Sequence, residues 1–273
     1  MTEPEPTLNV LVTGAYGLIG NAVYAHLAGQ PERYEVYGTS RRAAPSQRVD
    51  PNDYCPIPND RLILADLTDF ESMQRAVQGM DVVVHMAADP SGAPGWESVL
   101  ENNIKGSYHL FEASRLAGVK RILYASSNQV VFGYYLSEIY RKLRAGAFSD
   151  ADLEAIQPVD HTQPARPLNL YSCSKIFGES LAHMYAYTHH LSCIVLRIGW
   201  VVADDRPPSP VGRSLWCSQR DCVQVVERAI NAPASLRYDV FFVQSNNAHN
   251  FVDIQHAKDV LGYAPQDSAE DYH

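Results

Sequence analysis

The stretch LNVLVTGAYGLIGNAVYAHL, Leu8–Leu27, joins an apolar run to an amphipathic run through three glycines, Gly14, Gly17 and Gly20. The apolar run is typical of a buried strand, and the run after the glycines is typical of a helix. Glycines at this spacing allow a tight turn, let a pyrophosphate approach the backbone, and let the helix pack closely on the strand. The free N–H groups and positive dipole end of such a helix favour an anion. We therefore predict a dinucleotide site; a glycine-rich turn without a ligand is the alternative.

Strand-like runs continue to alternate with helix-like runs after this junction. Further strands are predicted at Tyr34–Ser40, Arg61–Leu67, Asp81–Ala88, Arg121–Ser127 and Ser192–Gly199. This alternation with short connections predicts an α/β fold of the Rossmann type, a doubly wound parallel sheet with helices on both faces. We expect one unit, with a core over about 8–199 that carries an insertion at 134–167, and a small C-terminal substrate lobe over about 200–273. Ligands should bind at the carboxyl ends of the strands.

Composition excludes several other classes of protein. The chain has 273 residues and a formal net charge of −9, so no general field attracts nucleic acid or anionic lipid, and neither is expected as a partner. The five cysteines form no C-x-x-C pair and no spacing typical of a metal site. We expect reduced thiols in a cytoplasmic protein without a secretory leader. No apolar stretch approaches the ~20 residues that span a bilayer.

The end of the second predicted strand indicates which dinucleotide binds. An acidic residue there would bind the ribose hydroxyls of NAD, but this chain has Ser40, Arg41 and Arg42. A hydroxyl and a guanidinium suit a 2′-phosphate, so NADP is favoured over NAD. Both arginines could instead be solvated surface residues. Asp66, at the end of the third strand, could meet the adenine edge or cap the following helix.

Tyr171 and Lys175 carry the candidate chemistry. They are spaced i, i+4 on a predicted helix and so share one face. A nearby ammonium favours the phenolate, which could then remove a hydroxyl proton while hydride leaves the same carbon. Ser127, at the end of the fifth strand, could bind the substrate oxygen. Each feature alone has an ordinary structural explanation, and their order along the chain gives them weight.

At this point the chain resembles the extended short-chain dehydrogenase/reductases, the NAD-dependent epimerase/dehydratase family. The resemblance covers VTGAYGLIG, ADL, HMAA, NNIKGSYHLFEAS, ASSNQVVFG, YSCSKIFGE, LRIG and HAKDVLGYAP. It implies that Ser127, Tyr171 and Lys175 form the catalytic triad, with Lys175 also on the nicotinamide ribose and Asn103 supporting the site. The cofactor contacts that it implies are Gly14, Tyr16, Gly17, Leu18, Ile19, Ser40, Arg41, Asp66, Leu67, Ala87, Ala88, Lys175 and Ile198.

Within that family the chain looks most like uronate dehydrogenases and archaeal glucose-6-phosphate dehydrogenases. The resemblance implies oxidation of the C1 hydroxyl of a cyclic sugar or sugar acid to a lactone. Arg213 is the candidate to hold a sugar carboxylate, because those enzymes carry an arginine in this loop. The other implied substrate contacts are Ser91, Asn128, Gln129 and Trp200. By the same analogy, helices over Glu97–Gly118 and Leu168–His189 would build a homodimer.

Three features depart from those enzymes. Gln129 stands where they have a histidine, Trp200 where they have a serine, and Tyr134–Pro167 is an insertion that they lack. The insertion could form a substrate lid or an oligomer contact. Two other functions stay open: a nucleotide-sugar epimerase or reductase of the same family, and a non-catalytic protein that senses a dinucleotide. The short segment after Gly199 and the Tyr/Lys pair argue against these two, respectively.

Overall fold

Seven parallel strands form one sheet in this computed structural model, which describes residues 6–49, 54–90, 95–145, 147, 149, 151–152, 155–208 and 210–272. The spatial order is β3-β2-β1-β4-β5-β6-β7. The strands are β1 (Leu8–Thr13), β2 (Tyr34–Ser40), β3 (Leu62–Leu64), β4 (Val82–His85), β5 (Arg121–Ser127), β6 (Ser192–Ile198) and β7 (Tyr238–Val243). The order reverses between β1 and β4, which is where a doubly wound sheet opens a crevice for a ligand. The predicted fold class is confirmed.

Helices cover both faces of the sheet. They are α1 (Leu18–Ala28), α2 (Phe70–Ala76), α3 (Trp96–Ser98), α4 (Gly106–Ala117), α5 (Glu138–Ala145), α6 (Leu170–His189), α7 (Pro210–Arg213), α8 (Gln219–Ile230) and α9 (Gln255–Leu261). A π-helical segment, Val99–Lys105, joins α3 to α4, and 3-10 turns occupy Asn128–Leu136 and Ala269–Asp271. None of the helices within the described part of the chain is long and apolar enough to cross a membrane.

Alternate residues of each strand feed two separate cores. Val10 and Val12 of β1 pack in the layer that contains α1 and α8, whereas Leu11 packs in the layer that contains α2, α4 and α6. This follows from the two-residue period of a strand, which sends successive side chains to opposite faces. Each face is therefore sealed, and the ends of the strands are left for ligands.

Two predicted strands are shorter than expected. The third ends at Leu64 instead of Leu67, and the fourth ends at His85 instead of Ala88. The third strand lies at the edge of the sheet and pairs on one side only, so its backbone is free to turn earlier. The residues that follow each strand form the rim of the crevice.

The C-terminal segment, residues 200–272, adds a strand and a helix to the core. Strand β7 pairs with β6 along its whole length, and α8 covers the same face as α1. The insertion is joined to this segment, because Val159 N–H donates to the Phe251 carbonyl at 2.9 Å and the Val159 carbonyl accepts from Asp253 N–H at 3.0 Å. The ring of Tyr140 of α5 also meets Phe251 edge to face, with ring centroids 4.9 Å apart. The described part of the insertion thus packs on the C-terminal segment.

Candidate active site

A cleft of about 960 Å³ runs along the carboxyl ends of the strands from the glycine turn to the loop after β6. Its floor is formed by β1, β4, β5 and β6, and its far wall by the first turns of α6. The turn at residues 14–20, the end of β2, the residues after β4 and the catalytic helix all contribute to its lining. One continuous groove therefore contains the predicted dinucleotide turn and the predicted catalytic residues.

The glycine turn has the geometry that a dinucleotide needs. Gly14 adopts a φ of +66°, and a Cβ there would lie 2.9 Å from the Ala87 Cα atom. A Cβ on Gly20 would lie 2.2 Å from the Gly14 carbonyl oxygen, so only glycine lets α1 pack this closely on the turn. Gly17 caps α1 without a side chain, which leaves the first N–H groups of the helix for a ligand. These residues fit a pyrophosphate.

Ser127, Tyr171 and Lys175 meet at the other end of the cleft and are called the catalytic corner below. Tyr171 and Lys175 both lie near the start of α6, whose capping box is made by Asn169 and Ser172. The Lys175 Nζ atom lies 5.6 Å from the centre of the Tyr171 ring and donates to the Ala125 carbonyl at 2.7 Å. Ser127 at the end of β5 shares a side-chain hydrogen bond with Tyr171.

Burial sets the protonation of the catalytic corner. It raises the pKa of Tyr171, and the hydrogen bond from Ser127 and the positive charge of Arg48 oppose this rise. Burial also lowers the pKa of Lys175 to about 8, while the Glu179 carboxylate opposes that change. Tyr171 is therefore a neutral phenol near pH 7 in this state, and Lys175 still carries its charge.

Buried polar contacts hold the catalytic helix in place. Asn103, in the π-helical segment, donates to the Asp89 carbonyl and to Ser174 Oγ, each at 3.0 Å, and Ser174 Oγ donates to the Tyr171 carbonyl at 2.7 Å. The supporting role that the family resemblance gave to Asn103 agrees with this position.

A second buried link lies one turn further along α6. Glu179 accepts from Ser126 Oγ at 2.5 Å and binds Arg197 of β6 through two hydrogen bonds of 3.0 and 2.8 Å. Ser126 precedes Ser127, and Arg197 precedes Ile198, so this carboxylate ties α6 to the ends of both strands. The Ser127 hydroxyl, the Tyr171 phenol and the Lys175 ammonium are thereby held at fixed positions relative to one another.

Most of the predicted site residues share the cleft. Those that line it are Gly14, Tyr16, Gly17, Leu18, Ile19, Ser40, Arg41, Leu67, Ala87, Ala88, Ser127, Gln129, Tyr171, Lys175, Ile198 and Trp200. Gln129 Oε1 accepts from Asn169 Nδ2 at 3.0 Å, which ties it to the start of α6. Trp200 is held between the backbones of Leu215 and Cys217. Ser91 lies outside the described residues.

Three predicted contacts do not line the cleft. Asp66 turns back on its own loop and accepts from Thr68 N–H at 2.9 Å, and it does not cap the following helix, because Asp69 is the N-cap of α2. Asn128 is fully buried beneath the strand ends, because the chain turns into a 3-10 segment there. Arg213 donates to the Tyr272 carbonyl at 2.6 Å, since α7 carries it towards the C-terminal segment. The direct contacts predicted for these three residues do not fit their positions.

Sequence reasoning missed the loop after β2 as part of the site. Ala44, Pro45, Ser46, Gln47 and Arg48 line the cleft, as do Met86, Pro90, Asn102, Val201 and Val202. The available signal was the length of the proline-rich loop after the second strand and its third arginine. The motif pattern assigned only Ser40, Arg41 and Arg42 to the cofactor.

The fold and the site together define a dinucleotide-binding protein with a Tyr/Lys/Ser corner. The sequence profile described as the NAD dependent epimerase/dehydratase family matches residues 10–227. The chain belongs to this family.

Its relatives include sugar dehydrogenases. The chain is 31% identical over 270 residues to an NAD-dependent glucose-6-phosphate dehydrogenase of Haloferax volcanii, covering 96% of this chain and 95% of the relative. It is 29% identical over 269 residues to an L-arabinose 1-dehydrogenase (NAD(P)(+)) of the same organism, covering 95% and 97%. A solved structure of a mutant uronate dehydrogenase from Agrobacterium tumefaciens, complexed with NAD, superposes with a TM-score of 0.73 at 29% identity, covering 98% and 88%. The expected resemblance is confirmed.

Proposed function

We propose that this protein is an NAD(P)-dependent dehydrogenase that oxidises the C1 hydroxyl of a small cyclic sugar or sugar acid to a lactone. The single observation that carries the proposal is the catalytic corner, which shares one cleft with the glycine turn. The names of the relatives support the oxidoreductase class and the sugar substrate. The segment after Gly199 is short and partly used for β7, which favours a small substrate over a nucleotide sugar.

Tyr171 acts as the base in this proposal. Its phenolate form, which the Lys175 ammonium favours, takes the proton of the C1 hydroxyl and becomes the phenol, while Ser127, which already bonds to it, holds the substrate oxygen beside it. A bound dinucleotide would supply the acceptor for the hydride that leaves the same carbon. Ile198 lines the cleft beside this point and supports the apolar side of the nicotinamide pocket.

Lys175 makes the base available near neutral pH. Its Nζ atom lies 5.6 Å from the ring centre of Tyr171, and a cation in that position favours the phenolate over the phenol. The same ammonium is the group that would bind the nicotinamide ribose. Its bond to the Ala125 carbonyl orients it towards the floor of the cleft.

NADP is the proposed dinucleotide. Ser40, Arg41 and Arg42 line the cleft at the end of β2, and no carboxylate follows that strand directly. Two guanidinium groups beside a hydroxyl favour a 2′-phosphate, because arginine offers a charged fork of donors. The glycine turn accepts either dinucleotide equally.

We also propose a cytoplasmic homodimer. Helices α4 and α6 expose large apolar side chains, among them Tyr108, Leu116, Phe177, Met184 and Tyr187. Exposed apolar surface on two neighbouring helices supports an association face between two copies. The five free thiols support a reducing compartment.

The experiment that tests the proposal is a mass balance. Purified protein is incubated with NADP or NAD and with glucose, glucose 6-phosphate, arabinose or glucuronate, and both reduced dinucleotide and lactone are measured. The proposal predicts one reduced dinucleotide for each sugar oxidised. An isomerised sugar without net reduction would instead identify an epimerase, since an epimerase returns its hydride. Dinucleotide binding without any conversion of the panel would contradict the sugar-dehydrogenase assignment.

A further inference from the structure

Most of residues 41–49, called the arginine loop below, line the cleft beside the glycine turn. Ser46 N–H donates to the Tyr16 carbonyl at 2.8 Å, which fixes the loop to the glycine turn. Val49 is buried, and its N–H donates to the Ser46 carbonyl at 3.1 Å, so the loop is turned back at this point. Residues on either side of Arg48 are therefore anchored.

Arg48 faces the catalytic corner. Its side chain is exposed and lines the same cleft as Tyr171, and its charge acts on the Tyr171 phenol. No carboxylate forms an ion pair with Arg48 among the residues that the structure describes. Arg48 thus lines the candidate active site with a charge that is available to an anionic ligand.

The other cations near the site are already engaged or lie elsewhere. Lys175 is buried against the Ala125 carbonyl, and Arg213 donates to the Tyr272 carbonyl outside the cleft. Arg41 and Arg42 follow β2 directly and belong to the adenosine end of the groove. Arg48 is thus the arginine of the loop that combines an unpaired charge with a position facing Tyr171.

We propose that Arg48 binds the anionic group, a phosphate or a carboxylate, of the sugar whose C1 hydroxyl meets Tyr171. This deepens the proposed function, on which it rests, and narrows the substrate to a sugar phosphate or a sugar acid. It moves the anion contact from the loop after β6, where Arg213 was expected to hold it, to the loop after β2. An arginine presents two parallel donors to either anion, so one side chain serves both.

The proposed dinucleotide carries the other anions that could reach this groove. Its pyrophosphate already has a site in the free N–H groups at the start of α1, where Gly17 leaves the helix uncapped, and its 2′-phosphate is assigned to Arg41 and Arg42. A sugar anion has no such backbone site beside the catalytic corner among the described residues. The geometry therefore favours the substrate as the partner of Arg48.

Binding titrations of Arg48→Gln test the proposal without requiring turnover. Arg206→Gln is the matched control, because it removes an exposed arginine charge outside the cleft lining. Calorimetry measures the affinity of each protein for NAD and, as complexes with NADH, for glucose 6-phosphate, glucuronate and glucose. We expect Arg48→Gln to weaken the binding of at least one of the two anionic sugars by about 10- to 100-fold, which is the range for loss of a hydrogen bond to a charged group. Arg48→Gln should change the affinities for glucose and for NAD by less than about twofold, and Arg206→Gln should leave the affinities for all three sugars unchanged.

Three results would overturn the proposal. Equal affinity of wild type and Arg48→Gln for the anionic sugars would show that Arg48 does not bind the sugar anion. A loss confined to NAD would assign Arg48 to the pyrophosphate. Failure of the wild-type complex to bind either anionic sugar would also reject it. If the anionic sugars bind through Arg48 but none is oxidised, the proposed dehydrogenase fails while the anion site stands.

Discussion

The catalytic corner and the arginine loop lie in one cleft but are held by different kinds of contact. The corner stands on buried bonds from Asn103 and Glu179 that tie α6 to the sheet. The loop is fixed by a few backbone bonds, and Arg48 itself is exposed. The difference separates a part of the site that must be rigid for proton transfer from a part in which residues can change without disturbing the fold. Chemistry is therefore expected to be sensitive to the corner, and substrate choice to the loop.

The largest effect is expected at Lys175. Lys175→Met removes the charge that favours the phenolate, so turnover should fall by about 100-fold or more. The exposed Lys120, which pairs with Asp81, provides the matched control Lys120→Met. Steady-state kinetics with saturating dinucleotide measures both. Turnover of Lys175→Met within about threefold of wild type would break the contrast between the corner and the loop.

The same substitution should make the protein more stable. Burial lowers the pKa of Lys175 from 10.5 to about 8, so the unfolded state holds more protons between those values and stability rises with pH through that window. Below pH 8 the full cost of the buried charge is present. At about 1.4 kcal/mol for each pKa unit the buried charge costs about 3.5 kcal/mol, and loss of the bond to the Ala125 carbonyl offsets about 1.5 kcal/mol of this. Lys175→Met should therefore raise the free energy of unfolding by about 2 kcal/mol at pH 7. Urea unfolding at pH 7 and pH 10 checks this, with a smaller gain expected at the higher pH.

Gly20→Ala tests the rigidity of the dinucleotide end. The new Cβ would lie 2.2 Å from the Gly14 carbonyl oxygen, so the turn must move, at a cost of about 1–3 kcal/mol in unfolding free energy. Gly79→Ala is the control, because Gly79 also has special geometry, with a φ of +75°, but nothing lies within 4 Å of its Cβ position. NAD titration should show weaker binding for Gly20→Ala only. Equal effects of the two variants on NAD affinity would contradict the close packing of the turn.

Arg41→Gln tests whether the arginine loop determines the preference for NADP over NAD. The affinity for NADP should fall by about 10-fold, because a hydrogen bond to a charged phosphate is lost, while that for NAD stays within about twofold. Arg206→Gln, an exposed change outside the cleft lining, is the control. Fluorescence titration with both dinucleotides measures the ratio. If NADP and NAD weaken equally, Arg41 does not select the 2′-phosphate.

The smallest effect is expected in the insertion. Tyr140 stacks against Tyr135 and packs edge to face on Phe251, and its buried hydroxyl has no partner among the described residues. Tyr140→Phe should therefore leave turnover unchanged and raise the free energy of unfolding by about 1 kcal/mol. Thermal unfolding and kinetics on one preparation check both values. A clear loss of turnover would instead indicate that the insertion acts as a substrate lid.

Local patterns in the sequence predicted the features that depend on backbone geometry within one element or at its end. The glycine spacing and the i, i+4 pair of Tyr171 and Lys175 each depend on geometry within one element, and the alternation of strands and helices defines where those elements end. The fold class and the family were accordingly predicted correctly. The grouping of Ser127 with Tyr171 also agrees with the structure, because both stand at the carboxyl edge of the sheet.

Loop-borne residues could not be placed in the same way. Arg213 was chosen from its loop, but α7 turns it towards Tyr272, a contact across 59 positions of the sequence. Arg48 was passed over because the bond from Ser46 to Tyr16, which brings it to the cleft, joins a loop to the glycine turn. Asn128 was expected to contact the substrate, although the chain buries it in the next turn. Such outcomes depend on tertiary contacts that no local pattern encodes.

The most direct test of the account compares wild type with Tyr171→Phe under saturating dinucleotide and the best substrate of the sugar panel. Phenylalanine keeps the ring and removes only the hydroxyl that bonds to Ser127. The account predicts that turnover falls by about 100-fold or more while the dissociation constant for the dinucleotide stays within about twofold. Retention of wild-type turnover would show that the proton leaves by another route and would contradict the assignment of the catalytic corner.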